Sequence, residues 1–452
     1  MKIIIAGAGM VGETLAAQLS EEKYDLTLID SDGDVLDSLV EQYDVMALKG
    51  NSACMEVLKQ AEIEKADLLV AVTNSDEVNL LCCLTAHNLN PKLHTIARIR
   101  NPEYTEQIYS MRQSFALSEI FNPERQAAEE IERLLKYPAF LKRDSFLNGR
   151  MEIVEIKVDK NSKLCDVPLS SINAILKCRV LVCAVLRGGE CIAPTGNFVP
   201  EEGDKLFVTA PSNILLTLIQ NLGLSKKRAR RITIVGGGTM SYYLAELLLK
   251  SKADVQIVES DKARCEELAS LLAKATIING DPCDQGLFER EGIENTDALV
   301  TLSAQDEVNI VVSLYGHSFG VPQIITKLER IEDQKILNAL PMGSVVSPRK
   351  LCSSNILRYV RSLSNQVGAA ITLHSIADGQ AEAIEFPVEE STLHQDIPLK
   401  NLKLKRNILV AAIGRGANIE IPNGESSFSK GDTVVIVSTS DEVILQLNDI
   451  FA

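Results

Sequence analysis

The chain has little of what marks a membrane-embedded, secreted or nucleic-acid-binding protein. No apolar run in its 452 residues reaches the roughly 18 that a membrane-spanning helix needs, so any membrane connection is expected to pass through a partner. Met1 and Lys2 lead straight into Ile3-Ile4-Ile5-Ala6-Gly7, a strand running into a turn, and no secretory leader is expected. Lys and Arg number 46 against 61 Asp and Glu, for a formal net charge of -15. Phosphate-backbone binding needs the opposite surplus, so no nucleic acid is expected as the main partner, though a local basic patch stays open. The ten cysteines form no C-x-x-C pair and no Cys/His cluster at zinc spacing, so no metal is expected. Buried, reduced thiols of a cytosolic protein are expected instead, with the adjacent Cys82 and Cys83 on a helix. Only five histidines occur, His87, His94, His317, His374 and His394, none in a glycine-rich or carboxylate-rich cluster. His87 is expected in a helix and His94 in the loop after it. No grouping of nucleophile, base and orienting residue stands out, which points to binding without chemistry and to no enzyme.

What the chain does contain is a repeat. Ile3-Ile4-Ile5-Ala6-Gly7-Ala8-Gly9 is echoed by Ile232-Thr233-Ile234-Val235-Gly236-Gly237-Gly238, and Asp76-Glu77-Val78-Asn79 by Asp306-Glu307-Val308-Asn309. Pro123, Pro168-Leu169, Arg187-Gly188 and Gly203-Asp204 match Pro348, Pro398-Leu399, Arg415-Gly416 and Gly431-Asp432. Two copies therefore span nearly the whole chain. Each copy opens with apolar runs alternating with amphipathic stretches, the pattern of a parallel sheet with crossover helices. In copy one the strand runs are 3–6, 25–30, 44–48, 68–73 and 95–99, and Asn122-Pro123 caps and starts a helix toward Pro138. A small β-rich part follows. It has a strand at 152–158, a hairpin of 180–186 and 191–193 around Gly188-Gly189, a strand at 206–209 and a helix through 214–219. Copy two repeats this from a strand at 382–388 to a helix near 442–447.

The expected fold class is α/β: two tandem Rossmann-type doubly wound parallel-sheet domains, each followed by a small α+β domain. The expected divisions are a Rossmann domain at 1–121, a crossover helix and linker at 122–150, and a small domain at 151–222. A linker at 223–231, a second Rossmann domain at 232–346, a crossover helix and linker at 347–371 and a small domain at 372–452 complete the chain. The basic stretch Lys226-Lys227-Arg228-Ala229-Arg230-Arg231 is either a solvated linker or a contact for an acidic partner surface or membrane headgroups.

Gly7-Ala8-Gly9-Met10-Val11-Gly12 follows a strand and opens a helix, the setting that gives G-x-G-x-x-G its meaning. Gly7 serves the tight turn, Gly9 the approach of a diphosphate, and Gly12 close helix–strand packing. The helix N-terminus then offers unpaired N–H groups to the phosphates. Asp30, roughly 20 residues on, is placed to bind ribose hydroxyls and to repel a 2′-phosphate, which favours NAD(H), ATP or ADP over NADP(H). Copy two has Gly236-Gly237-Gly238-Thr239-Met240-Ser241 with Glu259 at the acid position, so its site holds a ligand or is vacant or altered. Thr73 and Asn74 follow the fourth strand, where they can touch a cofactor, while Ser75 caps a helix whose first turn suits Asp76 and Glu77. Arg98 and Arg100 alternate at the end of the fifth strand. They bind phosphate or pair with nearby acids. Copy two has Lys327 and Glu329 at these places, so the two copies are expected to treat terminal phosphates differently.

Tandem Rossmann domains of this kind, each followed by a small β-rich domain, closely resemble the tandem RCK (regulator of potassium conductance) family of Trk-type potassium-uptake regulators. The resemblance covers essentially the full chain. It is carried by Gly7 to Gly12, Asp30, Gly50-Asn51-Ser52, Thr73-Asn74-Ser75-Asp76 and Arg98 with Arg100, together with their copy-two counterparts. It implies cofactor-binding roles for these residues, with Ser31 beside Asp30 and Asn51 and Ser52 after the third strand. It implies a cytoplasmic regulatory subunit, peripheral on the inner face of the cell membrane, that binds NAD(H) and ATP or ADP. Such a subunit gates a Trk-type membrane potassium-transporter subunit. Four chains would build a homotetrameric ring of eight Rossmann domains. The departures at Ser241, Lys327 and Glu329 imply a different ligand in copy two. An NAD-dependent oxidoreductase with one degenerate half, and a nucleotide-sensing scaffold for a different soluble partner, are the alternatives that the residues leave open.

Overall fold

The computed structural model describes residues 1–136, 142–147, 149–160, 162–222, 229–331, 340–363, 370–439, 442 and 444–452. Copy one opens with β1 (Lys2–Ala6), α1 (Met10–Glu21), β2 (Asp25–Asp30), α2 (Gly33–Gln42), β3 (Met46–Lys49), α3 (Met55–Gln60) and β4 (Leu68–Ala71). It continues with α4 (Asp76–Leu89), β5 (His94–Arg98), α5 (Pro102–Ser110), β6 (Glu119–Phe121) and α6 (Pro123–Lys136). Its small part has β7 (Lys142–Phe146), β8 (Met151–Lys157), α7 (Ile172–Leu176), β9 (Leu181–Arg187), β10 (Glu190–Ile192), β11 (Lys205–Pro211) and α8 (Leu215–Leu222). Copy two repeats the first set as β12 (Arg231–Val235), α9 (Thr239–Lys250), β13 (Asp254–Glu259), α10 (Lys262–Leu271), β14 (Thr276–Asn279) and α11 (Gln285–Arg290). Then come β15 (Ala298–Thr301), α12 (Asp306–Ser318), β16 (Gln323–Lys327), β17 (Ser344–Val346) and α13 (Pro348–Leu363). Its small part has β18 (Thr372–Ile376), β19 (Ala381–Pro387), β20 (Ile408–Arg415), β21 (Asn418–Glu420) and β22 (Thr433–Ser438).

The chain divides into two compact units, one of Met1–Arg133 with Ala229–Val360, the other of Leu134–Arg228 with Arg361–Ala452. The first unit holds both parallel sheets, in the orders β3-β2-β1-β4-β5-β6 and β14-β13-β12-β15-β16-β17. In each, the chain steps outward from a central strand and then restarts on its other side. This leaves a crevice at the carboxyl ends of β1 and β4, and of β12 and β15, the switch point of a doubly wound sheet. The central strands are near-continuous apolar runs because helices cover both faces, and Ile3, Ile4, Ile5, Leu68, Leu69 and Val70 are fully buried. Each opening helix starts with an N-cap glycine, Gly9 or Gly238, that supplies no side-chain cap, which leaves the first-turn N–H groups to the crevice. α2 and α4 are instead capped from within, by Asp32 onto Asp34 N and Val35 N and by Ser75 onto Val78 N.

The second unit holds two antiparallel five-stranded sheets, β10-β9-β11-β8-β7 and β18-β19-β22-β20-β21. One apolar cluster joins them. Phe146, Met151, Cys183 and Phe207 of copy one pack with Ile376, Ala412, Val435 and Val437 of copy two. Arg143 and Glu152 form a buried ion pair on neighbouring strands, and Asp144 lies 3.1 Å from His374 Nδ1.

Several sequence expectations need correction. Each parallel sheet has a sixth strand, β6 or β17, beyond the five runs read in copy one. The stretch 122–150, read as helix and linker, includes β7, which pairs with β8 along its length. Of the helix expected near 442–447, residues 442 and 444–446 are not helical, Leu447 opens a short 3-10 turn at Leu447–Ile450, and residue 443 lies outside the described residues. His94 opens β5 rather than lying in a loop. The thiols are free, but Cys54 and Cys283 are exposed, while burial pushes that of Cys82 up to about 12. Pro138 and residues 226–228 of the basic stretch lie outside the described residues. No helix among the described residues is long and apolar enough to cross a membrane.

Candidate functional site

The copy-one crevice is shaped by backbone that only glycine can supply. Gly7 has φ +107, and a Cβ there would lie 2.8 Å from Thr73 N and 2.9 Å from Thr73 Cα. A side chain is therefore excluded twice, by conformation and by the close pass of the β4 loop. A Cβ on Gly12 would lie 1.9 Å from Gly7 O, so the helix sits directly on the turn. Gly9 is the opposite case: a Cβ there would meet nothing within 4 Å. Its face is open, and beside it stand the uncapped N–H groups of α1. That fits a diphosphate, which needs close backbone approach and donors. Ala8 and Val11 turn their side chains inward and offer only backbone, while Met10 is half exposed at the mouth.

Asp30 flanks the glycine turn from the end of β2. Its Oδ2 accepts a hydrogen bond from Ala8 N at 2.6 Å. Its Oδ1 accepts from Asp32 N at 3.0 Å and from the Ser31 hydroxyl at 3.4 Å. The carboxylate thus ties the glycine turn to β2 as well as facing the crevice. Asn51 is exposed after β3, its side chain accepting from Ala53 N at 3.0 Å. Ser52 is buried and hydrogen-bonds with the Cys82 thiol, so its hydroxyl is committed inward rather than to the crevice.

The loop after β4 gathers two arginines. Arg98 Nη2 donates to Thr73 O at 3.0 Å and to Asn74 Oδ1 at 3.4 Å, and Arg100 Nη2 donates to Asn74 O at 2.5 Å. The two guanidinium groups therefore meet on one loop, as their alternation in sequence predicts. Arg100 Nε lies 3.7 Å from Asp76 Oδ1, a long ion-pair contact. Arg98 is only 9% exposed, and its Nε and that of Arg100 are buried without a hydrogen-bond acceptor. Burial, followed by the charge of Arg100, lowers the pKa of Arg98. Two guanidinium groups are thus gathered on the loop that packs against the glycine turn. Asp76 braces the backbone of this edge, its Oδ2 accepting from Arg100 N and Asn101 N at 2.8 and 2.9 Å.

Sequence reasoning missed the side chain that holds this edge together. Asn79 is fully buried; its Oδ1 accepts from Thr73 N at 2.9 Å, and its Nδ2 donates to Arg98 O at 2.9 Å. Asn309 does the same in copy two, between Ser303 N at 2.8 Å and Lys327 O at 3.1 Å. The signal was present, since both copies carry Asp-Glu-Val-Asn at this place.

Copy two keeps the frame and changes the chemistry. Gly236 has φ +100 and presses on Ser303 N, and a Cβ on Gly238 would meet nothing within 4 Å. Glu259 Oε2 accepts from Gly237 N at 2.5 Å, the counterpart of Asp30. Arg264, which has no cationic counterpart in copy one, donates from Nε to Gly237 O at 2.6 Å. Thr239 and Met240 open α9, and Ser241 is fully buried with its hydroxyl unpaired. Lys327 Nζ stands 4.0 Å from Glu329 Oε1, so one cation and one anion replace the two arginines. Burial raises the pKa of Glu329. Of the histidines, His94 lies at the amino-terminal end of β5, the opposite end of the sheet from the glycine turns, and His374 belongs to the second unit.

Comparison with known proteins agrees with this architecture. The TrkA-N domain matches residues 3–123 and 232–348, and the TrkA-C domain matches 153–223. The Trk system potassium uptake protein TrkA of Haemophilus influenzae is 31% identical over 459 residues, spanning 100% of this chain and 98% of that one. Among solved structures, the GsuK channel bound to NAD has a TM-score of 0.62 at 18% identity, covering 97% of this chain and 77% of that one. GsuK bound to ADP has a TM-score of 0.50 at 15% identity, covering 80% and 69%. These structures share the fold. With both Rossmann halves matched and a full-length relative at this identity, the chain belongs to the TrkA family of Trk system potassium uptake proteins.

Proposed function

We propose that this chain is a cytoplasmic nucleotide-sensing regulatory subunit. It binds NAD(H) and adenine nucleotides at the crevice of copy one and gates a membrane potassium-uptake transporter. The observation that carries this is the open Gly9 face together with two guanidinium groups, Arg98 and Arg100, gathered on the Thr73–Asn74 loop against which the glycine turn packs. Asp30, Ser31 and Asn51 would hold the adenosine half, the N–H groups from Gly9 to Val11 the diphosphate, and Thr73, Asn74, Arg98 and Arg100 the remaining phosphate or nicotinamide portion. The NAD and ADP named with GsuK structures of the same fold support both ligand types. In copy two, Gly236 to Met240 and Glu259 form the corresponding cradle, while the Lys327–Glu329 pair disfavours a terminal phosphate there. Four chains arranged as a ring of eight Rossmann domains would transmit the change to the transporter.

A nucleotide can gate only through a difference in affinity between two states of such an assembly. Calorimetric titration with NADH, with ATP, and with each in the presence of the other tests this reading. Competition at one site is expected, because the adenosine half is shared. Binding of NADH that ATP does not displace, together with substrate-dependent NADH oxidation, would overturn it in favour of an oxidoreductase.

A further inference from the structure

Within the first unit, one phenol joins the two copies at a place where a copy-one site residue and a copy-two loop helix meet. Tyr243 lies on α9, one turn beyond the Gly238–Met240 N–H groups, and is 6% exposed. Its hydroxyl donates to Arg100 O at 3.0 Å, accepts from Asn122 Nδ2 at 3.0 Å and lies 3.4 Å from Thr105 Oγ1. The Thr105 hydroxyl already donates to Asn101 O, which leaves the phenol proton for Arg100.

Arg100 is thus held at both ends of its backbone by different copies. Its N–H is bound by Asp76 of copy one and its carbonyl by Tyr243 of copy two, while its guanidinium rests on Asn74 O. Asn122, the other partner, caps α6 by accepting from Arg125 N at 2.8 Å. One hydroxyl therefore touches both the anion-binding edge of copy one and the start of its crossover helix. The contact has no mirror image. At the equivalent place in copy one stands Thr14, whose hydroxyl is spent on Met10 O of its own helix at 2.8 Å.

We infer that Tyr243 is a positioning residue that couples the two glycine loops: a nucleotide seated on α9 in copy two alters Arg100 and Asn122 in copy one, and a nucleotide in copy one acts back on α9. This rests on the nucleotide reading above. A buried ring in a close-packed junction has no slack to absorb a shift of its helix, so the movement passes to the groups that its hydroxyl holds. Coupling between two sites is reciprocal, so each ligand changes the other's affinity by one common factor. A factor of about fivefold corresponds to one buried neutral hydrogen bond.

The test uses the full chain titrated with NADH and with ATP. Gly9→Asp blocks copy one and Gly238→Asp blocks copy two, and in each the new side chain starts in open space, so the fold is kept. These variants give the two single-site constants, and the intact chain gives the stepwise pair. Their ratio is expected to depart from unity by about fivefold. Tyr243→Phe keeps the ring and removes the hydroxyl. It is expected to return the ratio to unity and leave both single-site constants within about twofold. A ratio that survives Tyr243→Phe, a ratio of unity in the intact chain, or a single site per chain overturns the inference. A hydroxyl that only packs would lower the melting temperature and leave the ratio unchanged, which also overturns it. Absence of all binding heat, from either nucleotide and in every variant, overturns the nucleotide reading itself and the coupling with it.

Discussion

Asp30 is the residue at which stability and ligand affinity should fall together. Its carboxylate accepts the N–H of Ala8, a residue 2% exposed, at 2.6 Å. Asp30→Ala removes the acceptor and strands that donor, at a cost of about 1–3 kcal/mol. For a unit of this size, about 2 kcal/mol lowers the melting temperature by about 4–8 °C. Asp30→Asn keeps an oxygen acceptor but loses the charge, and charge-assisted bonds are about twice as strong, so about half the loss is expected. On the proposed function the same carboxylate binds the ribose, and losing a charged hydrogen bond there is expected to weaken NADH binding by about 10- to 100-fold in Asp30→Ala. Thermal melting with and without NADH, beside calorimetric titration, reads both effects on one sample. A variant that loses affinity and melts like the parent would refute the double role. One that loses stability and keeps its affinity would move the adenosine elsewhere.

Two further predictions come from the same unit. Gly7→Ala should destabilise by more than about 2 kcal/mol, because a positive φ and a backbone contact both oppose a side chain, whereas Gly9→Ala should stay within about 0.5 kcal/mol and still weaken nucleotide binding; urea unfolding of the pair, with titration of the second, checks this. Burial raises the pKa of Glu124 above its ordinary 4.5 against the opposing pull of Arg98 and Arg100. The folded chain then binds more protons than the unfolded one above that pH, so this group's contribution falls as pH rises through its folded pKa. Glu124→Gln should therefore gain stability at neutral pH and show a flatter profile above pH 4.5 in urea unfolding, and an unchanged slope would show that another group titrates there.

Much of the fold was legible because its signals are periodic and repeated. β2 spans Asp25–Asp30 as read, and the glycine turn, the acid after it and the capped crossover helix lie where their spacing put them. The sixth strand, β6, escaped notice because three residues cannot display an alternation. β7 escaped for a different reason. Its buried positions include Arg143 and Asp144, whose partners come from other strands, so its inward side reads as polar. The site was legible in its backbone and its charges and illegible in its buried amides. An asparagine such as Asn79 looks like any polar helix residue until the carbonyls it spans are brought together. Tyr243 carried no signal, because its role is set by a meeting of two copies far apart in sequence and has no counterpart in the first.

The shared core of the two small sheets has a consequence for how the chain is made. β8, β9 and β11 are complete once residue 211 has been synthesised, but the strands they pack against lie at 372–438. At roughly 5–20 residues per second, about 10 to 45 s separate the two events. For that interval the apolar surface around Phe146, Met151 and Phe207 emerges from the ribosome without its cover. Slowing translation after residue 222 would lengthen the exposure of that surface to aggregation.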